Sequence, residues 1–193
     1  MMPLSNAAAW LTAKCINPLE VKDAPYTSPR CGEIVVRNCA VAINPVDWGK
    51  QLVGNLIFSY IKYPFIPGCD PAGEVVELGP GTSRFRVGDR ILGNAIGGSI
   101  ESNRACEGAF QRYTILREHV ACPIPDIMSY EQACVLPLGA MTATHGLFHR
   151  DFLNLDFPTV PARPNPTGRA IIITGGASSV GSNAHIVSCC GGV

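Results

Sequence analysis

The strongest constraint on this chain is a run of apolar residues that leads directly into a glycine-rich turn. The run is Ala170–Thr174, and the turn is Gly175–Gly181, which reads Gly-Gly-Ala-Ser-Ser-Val-Gly. Apolar residues bounded by Arg169 are typical of a strand buried on both faces, and the residues after the turn begin like a helix. This order predicts the phosphate-binding opening of a dinucleotide-binding βαβ unit. A complete unit needs roughly 30 residues or more, whereas the sequence ends at Val193.

The composition is that of an ordinary globular chain with enough apolar material for a core. Of the 193 residues, 47% are hydrophobic and 16% are charged, and 15 basic residues balance 15 acidic ones. No basic patch or acidic tail favours nucleic acid or an anionic membrane as a partner. No apolar run approaches the roughly 18 residues of a spanning helix, and the first residues lack the positive charge of a secretory signal. We therefore expect one or two soluble domains in the cytoplasm.

Nine cysteines are spread along the chain. Their number is odd, no Cys-x-x-Cys occurs, and the spacings match no zinc-binding template. Because most of them stand in apolar segments, we predict reduced and mostly buried thiols.

Residues 1–125 read as short strands separated by Gly and Pro. Many short strands with turns between them predict a small barrel or a bent sheet. Asp70 and Asp89 are predicted to hold turns rather than to perform chemistry. The predicted strands are Glu33–Ile43, Gly73–Gly79, Val87–Leu92 and Ala109–Leu116.

Three helices are predicted from capping residues and apolar content. Asn44 followed by Pro45 predicts a helix start, with Asn44 as the N-cap and Pro45 at the first helical position. Ser129 and Gln132 form a capping-box pattern that opens a second helix. The largely apolar segment Leu138–Arg150 contains no proline and predicts a third.

Four prolines between Phe157 and Gly168 forbid regular structure and predict a stiff linker. We therefore divide the chain into residues 1–157, a linker at 158–168 and a nucleotide-binding fragment at 169–193.

Few side chains indicate catalysis by their spacing. The turn Gly175–Gly181 would act through its backbone, because N–H groups at a helix start can bind a pyrophosphate with help from the helix dipole. A plain connection between a strand and a helix is the alternative.

Lys50 either faces a phosphate or a substrate thioester, or lies in solvent. The four histidines share no ligand spacing, and none is predicted as a catalyst.

Taken in order, these motifs resemble the medium-chain dehydrogenase/reductase superfamily over about residues 10–184. The chain is most similar to its zinc-free fungal branch, which comprises quinone-reductase-like oxidoreductases and the trans-acting enoyl reductases of polyketide gene clusters. The motifs that carry the resemblance are Asn44–Asp47, Pro67–Val76, Val87–Arg90, Gly108–Tyr113, Ala133–Ala143 and Gly175–Gly181.

The resemblance implies an α/β protein in which a GroES-like β-barrel domain is followed by a Rossmann domain that binds NADP(H), with the active site in the cleft between them. Zinc-dependent members carry Cys where this chain has Asn44 and His where it has Cys69, and they often carry a four-cysteine lobe in the region 93–106. We therefore expect no metal site. The implied reaction is hydride transfer from NADPH to an activated C=C of an enoyl thioester or an α,β-unsaturated carbonyl.

The resemblance also assigns site residues by position. Members of the branch usually follow Val-Asp-Trp directly with Lys or another long residue, whereas Gly49 intervenes here before Lys50. The proton donor stays unassigned, because Tyr60 and Tyr63 fall in a variable segment. The nicotinamide side would be lined by Val46, Asp47, Trp48 and Gly49. The cofactor phosphates would be held by Ser178, Ser179, Val180 and Gly181. The substrate would be bordered by Leu136, Pro137, Leu138, Gly139, Ala140, Met141, Thr142, Ala143 and Thr144.

The family is about twice as long as this chain, and its usual helix after Ala184 is replaced by an unrelated sequence. We interpret the end as a retained intron or a wrongly placed gene end, and we expect a truncated Rossmann fragment with little activity. The choice of NADP over NAD rests on the resemblance alone, because the ribose-selecting segment lies further on. Two alternatives stay open, namely a quinone reductase and a non-catalytic GroES-like product that binds a protein partner such as a polyketide synthase.

Overall fold

The computed structural model describes residues 5–56, 58–158, 168 and 170–191, which divide into two compact units between Cys134 and Val135. The predicted domain boundaries at residues 157 and 168 stay predictions. The prolines at 161, 164 and 166 of the predicted linker lie outside the described residues.

The first unit contains a five-stranded antiparallel sheet and a two-stranded hairpin. The hairpin is β1–β2, and the sheet has the strand order β6-β3-β4-β5-β7. Isolated bridges from Ala8 to Gln111 and from Leu11 to Phe65 connect the hairpin to the rest of the unit. The strands are β1 (Asn6–Trp10), β2 (Glu20–Ala24), β3 (Glu33–Ala42), β4 (Asp70–Leu78), β5 (Arg90–Gly93), β6 (Tyr113–Arg117) and β7 (Ala121–Pro123).

Two of the predicted strands, β3 and β4, are confirmed, and two begin later than predicted. β5 begins at Arg90 because Asp89 closes a turn in which its carboxylate accepts the N–H of Arg86 at 2.7 Å. This confirms a turn role for Asp89. The same prediction for Asp70 is wrong, because Asp70 is the first residue of β4 and is fully buried.

One cluster of buried apolar side chains packs the strands of the sheet against one another. Ile34 and Val36 of β3 pack with Val75, Ile91 and Leu116 from the neighbouring strands. Burying side chains of this size stabilises the fold by about 1.5–3 kcal/mol each. These contacts hold in place the strand β3, which leads into the candidate site.

A buried ion cluster holds β3 to the segment before β6. The guanidinium of Arg104 contacts the carboxylates of Glu33 and Glu107, and Arg117 Nη2 lies 3.5 Å from Glu107 Oε2. Burial alone would raise the pKa of Glu33, but hydrogen bonds from Arg104 and from the backbone N–H of Arg30 outweigh burial and hold that pKa below its usual value.

Four α-helices are present among the described residues, and the predicted helix starts are confirmed. The capping box at Ser129 forms as predicted, since the Gln132 N–H donates to Ser129 Oγ at 3.3 Å and the Ser129 N–H donates to Gln132 Oε1 at 3.0 Å. The helices are α1 (Pro45–Val53), α2 (Tyr130–Ala133), α3 (Pro137–Phe148) and α4 (Ser179–Gly191). Short 3₁₀ turns occupy Gly54–Leu56, Ala105–Glu107 and Glu118–Val120.

In the second unit, α3 and α4 pack closely together. A Cβ added at Gly139 of α3 would lie only 2.7 Å from Ser179 Oγ and from Asn183 Nδ2 of α4. α4 continues through the residues after Ala184 to Gly191, so the unusual sequence there still forms a helix.

The predicted strand Ala170–Thr174 is not formed, and this corrects the sequence analysis. Its described residues have no regular structure, and Ile172 is 91% exposed. A parallel strand needs neighbours on which to place its hydrogen bonds and its apolar side chains. No strand of the described second unit supplies them.

The expectation of mostly buried cysteines is also wrong. Of the eight cysteines whose side chains are described, only Cys134 is buried, and five are exposed. The exposed thiols are those of Cys15, Cys31, Cys39, Cys122 and Cys189. Within the described part of the chain, no helix is both long enough and apolar enough to cross a membrane.

Candidate active site

Helix α1 starts where β3 ends, and a local pair of hydrogen bonds fixes its first turn. The backbone N–H of Asn44 donates to Asp47 Oδ2 at 2.8 Å, and the N–H of Asp47 donates to the carbonyl of Asn44 at 3.0 Å. Pro45 suits the first helical position, where no backbone donor is needed. The side-chain amide of Asn44 donates to Asp70 Oδ2 at 2.8 Å, which attaches the helix start to β4.

Asp47 is an internal acceptor, although the resemblance places it beside the cofactor. Its carboxylate is 5% exposed and also accepts the N–H of Gly68 at 3.2 Å and the thiol of Cys69 at 3.7 Å. Burial raises the pKa of Asp47, and these hydrogen bonds oppose the rise. Burial and the two neighbouring carboxylates, Asp47 and Asp70, raise the pKa of the Cys69 thiol, which therefore stays protonated as a donor.

Lys50 lies inside the first unit, so the interpretation that it is solvated is wrong. It is 3% exposed, and its Nζ donates to the carbonyl of Phe58 at 2.8 Å and to Asn55 Oδ1 at 3.3 Å. The ring of Tyr63 lies 5.4 Å from Nζ, and the Tyr63 hydroxyl donates to the same Asn55 oxygen at 3.0 Å. Burial lowers the pKa of Lys50. The lysine thus connects α1 to the segment after it.

The other predicted nicotinamide-side residues are more accessible. Trp48 is 52% exposed, and Val46 and Gly49 are half-buried. A Cβ added at Gly49 would meet no atom within 4 Å, so the side-chain position is open. An open position beside an exposed indole can accept part of a ligand.

The glycine-rich turn before α4 has the geometry expected of a phosphate-binding turn. Gly175 has a φ of +69°, which favours glycine, and a Cβ added at Gly181 would lie 2.2 Å from the carbonyl oxygen of Gly175. Ser178 Oγ accepts the N–H of Gly181 at 3.0 Å. Ser178, Ser179 and Val180 are exposed at the start of a 13-residue helix. The residues present therefore fit a cofactor phosphate.

The predicted substrate-bordering residues, Leu136 before α3 and the others within it, fall into three classes by exposure. Pro137, Gly139 and Ala143 are buried, and Gly139 faces α4, so these three serve packing in the second unit. Met141 and Thr142 are exposed. The half-buried members are Leu136, Leu138, Ala140 and Thr144.

Sequence reasoning missed the contacts around Lys50. Asn55, Phe58 and Tyr63 come shortly after α1 in the chain, but no periodic pattern links them to the lysine. The only signal is Gly54, which ends α1 with a φ of +57° and so turns the chain back towards the helix.

Among the residues that the structure describes, no group of three or more His, Cys, Asp and Glu side chains could hold a metal ion. The two positions that carry zinc ligands in other members are instead engaged in protein contacts, since Asn44 donates to Asp70 and Cys69 donates to Asp47.

Comparisons with known proteins identify a matching domain family and related sequences. The alcohol dehydrogenase GroES-like domain family matches residues 30–126. Dehydrogenase pigH of Monascus ruber is 53% identical over 180 residues, which are 93% of this chain and 48% of that protein. Trans-enoyl reductase himH of Aspergillus japonicus is 37% identical over 184 residues, which are 95% of this chain and 51% of that protein.

A solved structure of an alcohol dehydrogenase superfamily protein from Novosphingobium aromaticivorans superposes with a TM-score of 0.75 at 25% identity. The match covers 96% of this chain and 51% of that one. This chain thus spans about half the length of the curated relatives it matches. Motif order, sheet topology and these matches agree that the chain belongs to the medium-chain dehydrogenase/reductase superfamily and carries its alcohol dehydrogenase GroES-like domain.

Proposed function

We propose that the whole protein is a zinc-independent, NADPH-dependent oxidoreductase that reduces an activated C=C in an enoyl thioester or an α,β-unsaturated carbonyl. The observation that carries the proposal is the chemistry at Asn44 and Cys69. An amide and a protonated thiol, both engaged in hydrogen bonds with carboxylates, are poor ligands for a Lewis-acidic zinc ion. Alkene reduction by hydride transfer needs no such metal, whereas alcohol oxidation in this superfamily relies on one.

The residues of this chain would bind and orient the reactants. When bound, NADPH supplies the hydride. Ser178, Ser179 and Val180 stand exposed at the start of α4, where the helix dipole favours a phosphate. Trp48 and the open position at Gly49 would border the nicotinamide. Asp47 holds the start of α1 in place through its hydrogen bonds.

The substrate side of the proposal draws on exposed residues of α3. Met141 and Thr142 are the members of the predicted set whose side chains can contact a ligand without disturbing the packing of α3 on α4. The similarity to a named trans-enoyl reductase supports an enoyl group as the part of the substrate that is reduced. We further propose that the substrate is a thioester carried by a polyketide synthase in fungal secondary metabolism. We also propose a cytoplasmic location for this reaction.

The test is NADPH titration by fluorescence together with turnover assays. Crotonyl-N-acetylcysteamine and a benzoquinone serve as the two substrates. The 193-residue chain is compared with a form that is extended by a complete Rossmann remainder. We expect the extended form to bind NADPH and to reduce the enoyl thioester, and the shorter chain to do neither, because misplacing reacting groups by about 1 Å can cost roughly 100-fold in rate.

Each of the other possible outcomes would argue for a different interpretation. Turnover of the quinone alone by the extended form would favour a quinone reductase. Cofactor binding without turnover of either substrate would refute the proposed reaction. Steady turnover by the 193-residue chain would show that the additional residues are not needed.

A further inference from the structure

Helix α1 turns its charged residues to the protein and its apolar residues outward. Asp47 and Lys50 are buried, whereas Trp48, Leu52 and Leu56 are 52%, 69% and 86% exposed. Trp48 and Leu52 are four residues apart and form one apolar stripe on α1, and Leu56 is exposed in the 3₁₀ turn that follows Gly54. A contiguous exposed apolar stripe marks a surface that a ligand or partner can cover.

A cavity of about 430 Å³ opens beside Trp48 and Leu52. Trp48, Gln51 and Leu52 of α1 form one wall, and Cys15 and Asn17 form the other. The walls are held together, because Gln51 Nε2 donates to the carbonyl of Ile16 at 3.1 Å and the Cys15 thiol donates to the carbonyl of Leu52 at 3.7 Å. Ligand cavities in proteins typically measure roughly 300–1,000 Å³, so the space suits a small molecule.

The lining selects for an uncharged, largely aliphatic ligand. Among the described residues that line the cavity, none carries a carboxylate, ammonium or guanidinium group. The indole of Trp48 and the side chain of Leu52 offer apolar surface, and the amide of Gln51 is already bonded to the backbone. A charged ligand would lose its hydration here without gaining a partner of opposite charge.

We propose that this cavity binds the aliphatic chain of an acyl thioester. The identity of the ligand rests on the proposed function, because an enoyl thioester whose reacting end lay near Trp48 would place its chain along the same wall of α1. All the described residues that line the cavity belong to the first unit.

The experiment measures binding of octanoyl-N-acetylcysteamine to the 193-residue chain by titration calorimetry and by tryptophan emission. This probe is saturated, so binding is measured without any reduction. We expect saturable binding and a blue shift of emission from half-exposed Trp48, because the octanoyl chain would remove water from the indole. The acetyl analogue should bind at least about tenfold more weakly, since it lacks the methylene groups that the cavity would bury.

Leu52→Gln and Leu56→Gln are the matched variants, because both leucines are exposed and, of the two, Leu52 lines the cavity. We expect Leu52→Gln to weaken octanoyl binding about fivefold and Leu56→Gln to leave it unchanged. Absence of saturable binding, equal affinity for the acetyl analogue, or equal behaviour of the two variants would each overturn the proposal. Saturable binding by this chain, combined with no enoyl turnover by the extended form, would uphold the cavity and refute the proposed function.

Discussion

At the scale of single residues, the hydrogen bonds of Lys50 make it the main connection between α1 and the segment after it. Its ammonium group is buried with a backbone carbonyl and an amide oxygen as acceptors. A buried acceptor that loses its donor costs about 1–3 kcal/mol. The position was open to several interpretations in the sequence, because a lysine in a helix can point to solvent or to the interior.

We predict that Lys50→Met lowers the free energy of unfolding by about 1–3 kcal/mol, because the part-buried hydrogen bonds from Lys50 to the Phe58 carbonyl and to Asn55 Oδ1 are lost. Lys62→Met is the control, since Lys62 is exposed in the same segment and should change stability by less than about 0.5 kcal/mol. Urea denaturation of the two variants measures the difference. Similar small changes in both would show that the Lys50 contacts contribute nothing.

A second residue-scale prediction concerns pH and Glu33. Burial acts to raise the folded-state pKa of Glu33, but hydrogen bonds from Arg104 and from the Arg30 N–H together outweigh burial and hold this pKa below its ordinary value. Its stabilising contribution is therefore complete above the unfolded-state pKa of about 4.3 and is lost as the pH falls through the folded-state pKa. Glu33→Gln should flatten the loss of stability on acidification. The control Glu101→Gln, at an exposed position, should leave the profile unchanged.

Urea midpoints measured between about pH 6 and pH 3 test the Glu33 prediction. An identical acid profile for Glu33→Gln and the parent chain would contradict it.

At the scale of elements, two glycines in helix interiors have opposite surroundings. A Cβ at Gly49 of α1 meets open space, whereas a Cβ at Gly139 of α3 meets Ser179 and Asn183 at 2.7 Å. Helix propensity favours alanine over glycine in both places by about 1 kcal/mol. Packing therefore decides whether each Gly→Ala substitution raises or lowers stability.

We predict that Gly49→Ala stabilises the first unit by up to about 1 kcal/mol. Gly139→Ala should destabilise the second unit by about 1–3 kcal/mol, because the side chains of Ser179 and Asn183 must shift and the Ser179 carbonyl oxygen would lie only 3.2 Å from the new Cβ. Thermal unfolding measured by circular dichroism checks both variants. A stabilising effect of Gly139→Ala would show that the close contact between α3 and α4 is wrong.

Some local sequence patterns were sufficient to predict a helix or a strand. The caps at Asn44 and Ser129 and the β-rich run of β3 were predicted correctly, because each depends on residues that are near neighbours in the chain. The hairpin β1–β2 was missed, because its strands are an alanine-rich segment and a mostly exposed segment with little apolar alternation.

At the scale of the whole molecule, the chain carries the GroES-like domain and spans about half the length of the relatives it matches. The positions that hold zinc in other members are used here for hydrogen bonds that join α1 to the Gly68–Asp70 segment. The proposed zinc independence can therefore be tested on the purified chain.

We predict that the purified chain contains well under one zinc ion per molecule, because Asn44 and Cys69 are engaged with carboxylates rather than arranged as ligands. Inductively coupled plasma mass spectrometry after dialysis measures the metal content. The variant Asn44→Cys, which restores one family ligand, should not gain stoichiometric zinc by itself. About one zinc per parent chain would refute the prediction.

The sequence by itself determined the family, the order of the motifs, the helix starts and the glycine-rich turn, because each depends on residue types at short, fixed spacings. Tertiary structure alone decided that Lys50 is buried, that Trp48 and Leu52 face outward beside a cavity, and that Ala170–Thr174 forms no strand. Burial is a property of neighbours that are distant in the chain. The type of a residue determines which interactions it can make. Only the packing around it decides whether a charged group is buried in the protein or an isoleucine is exposed to water.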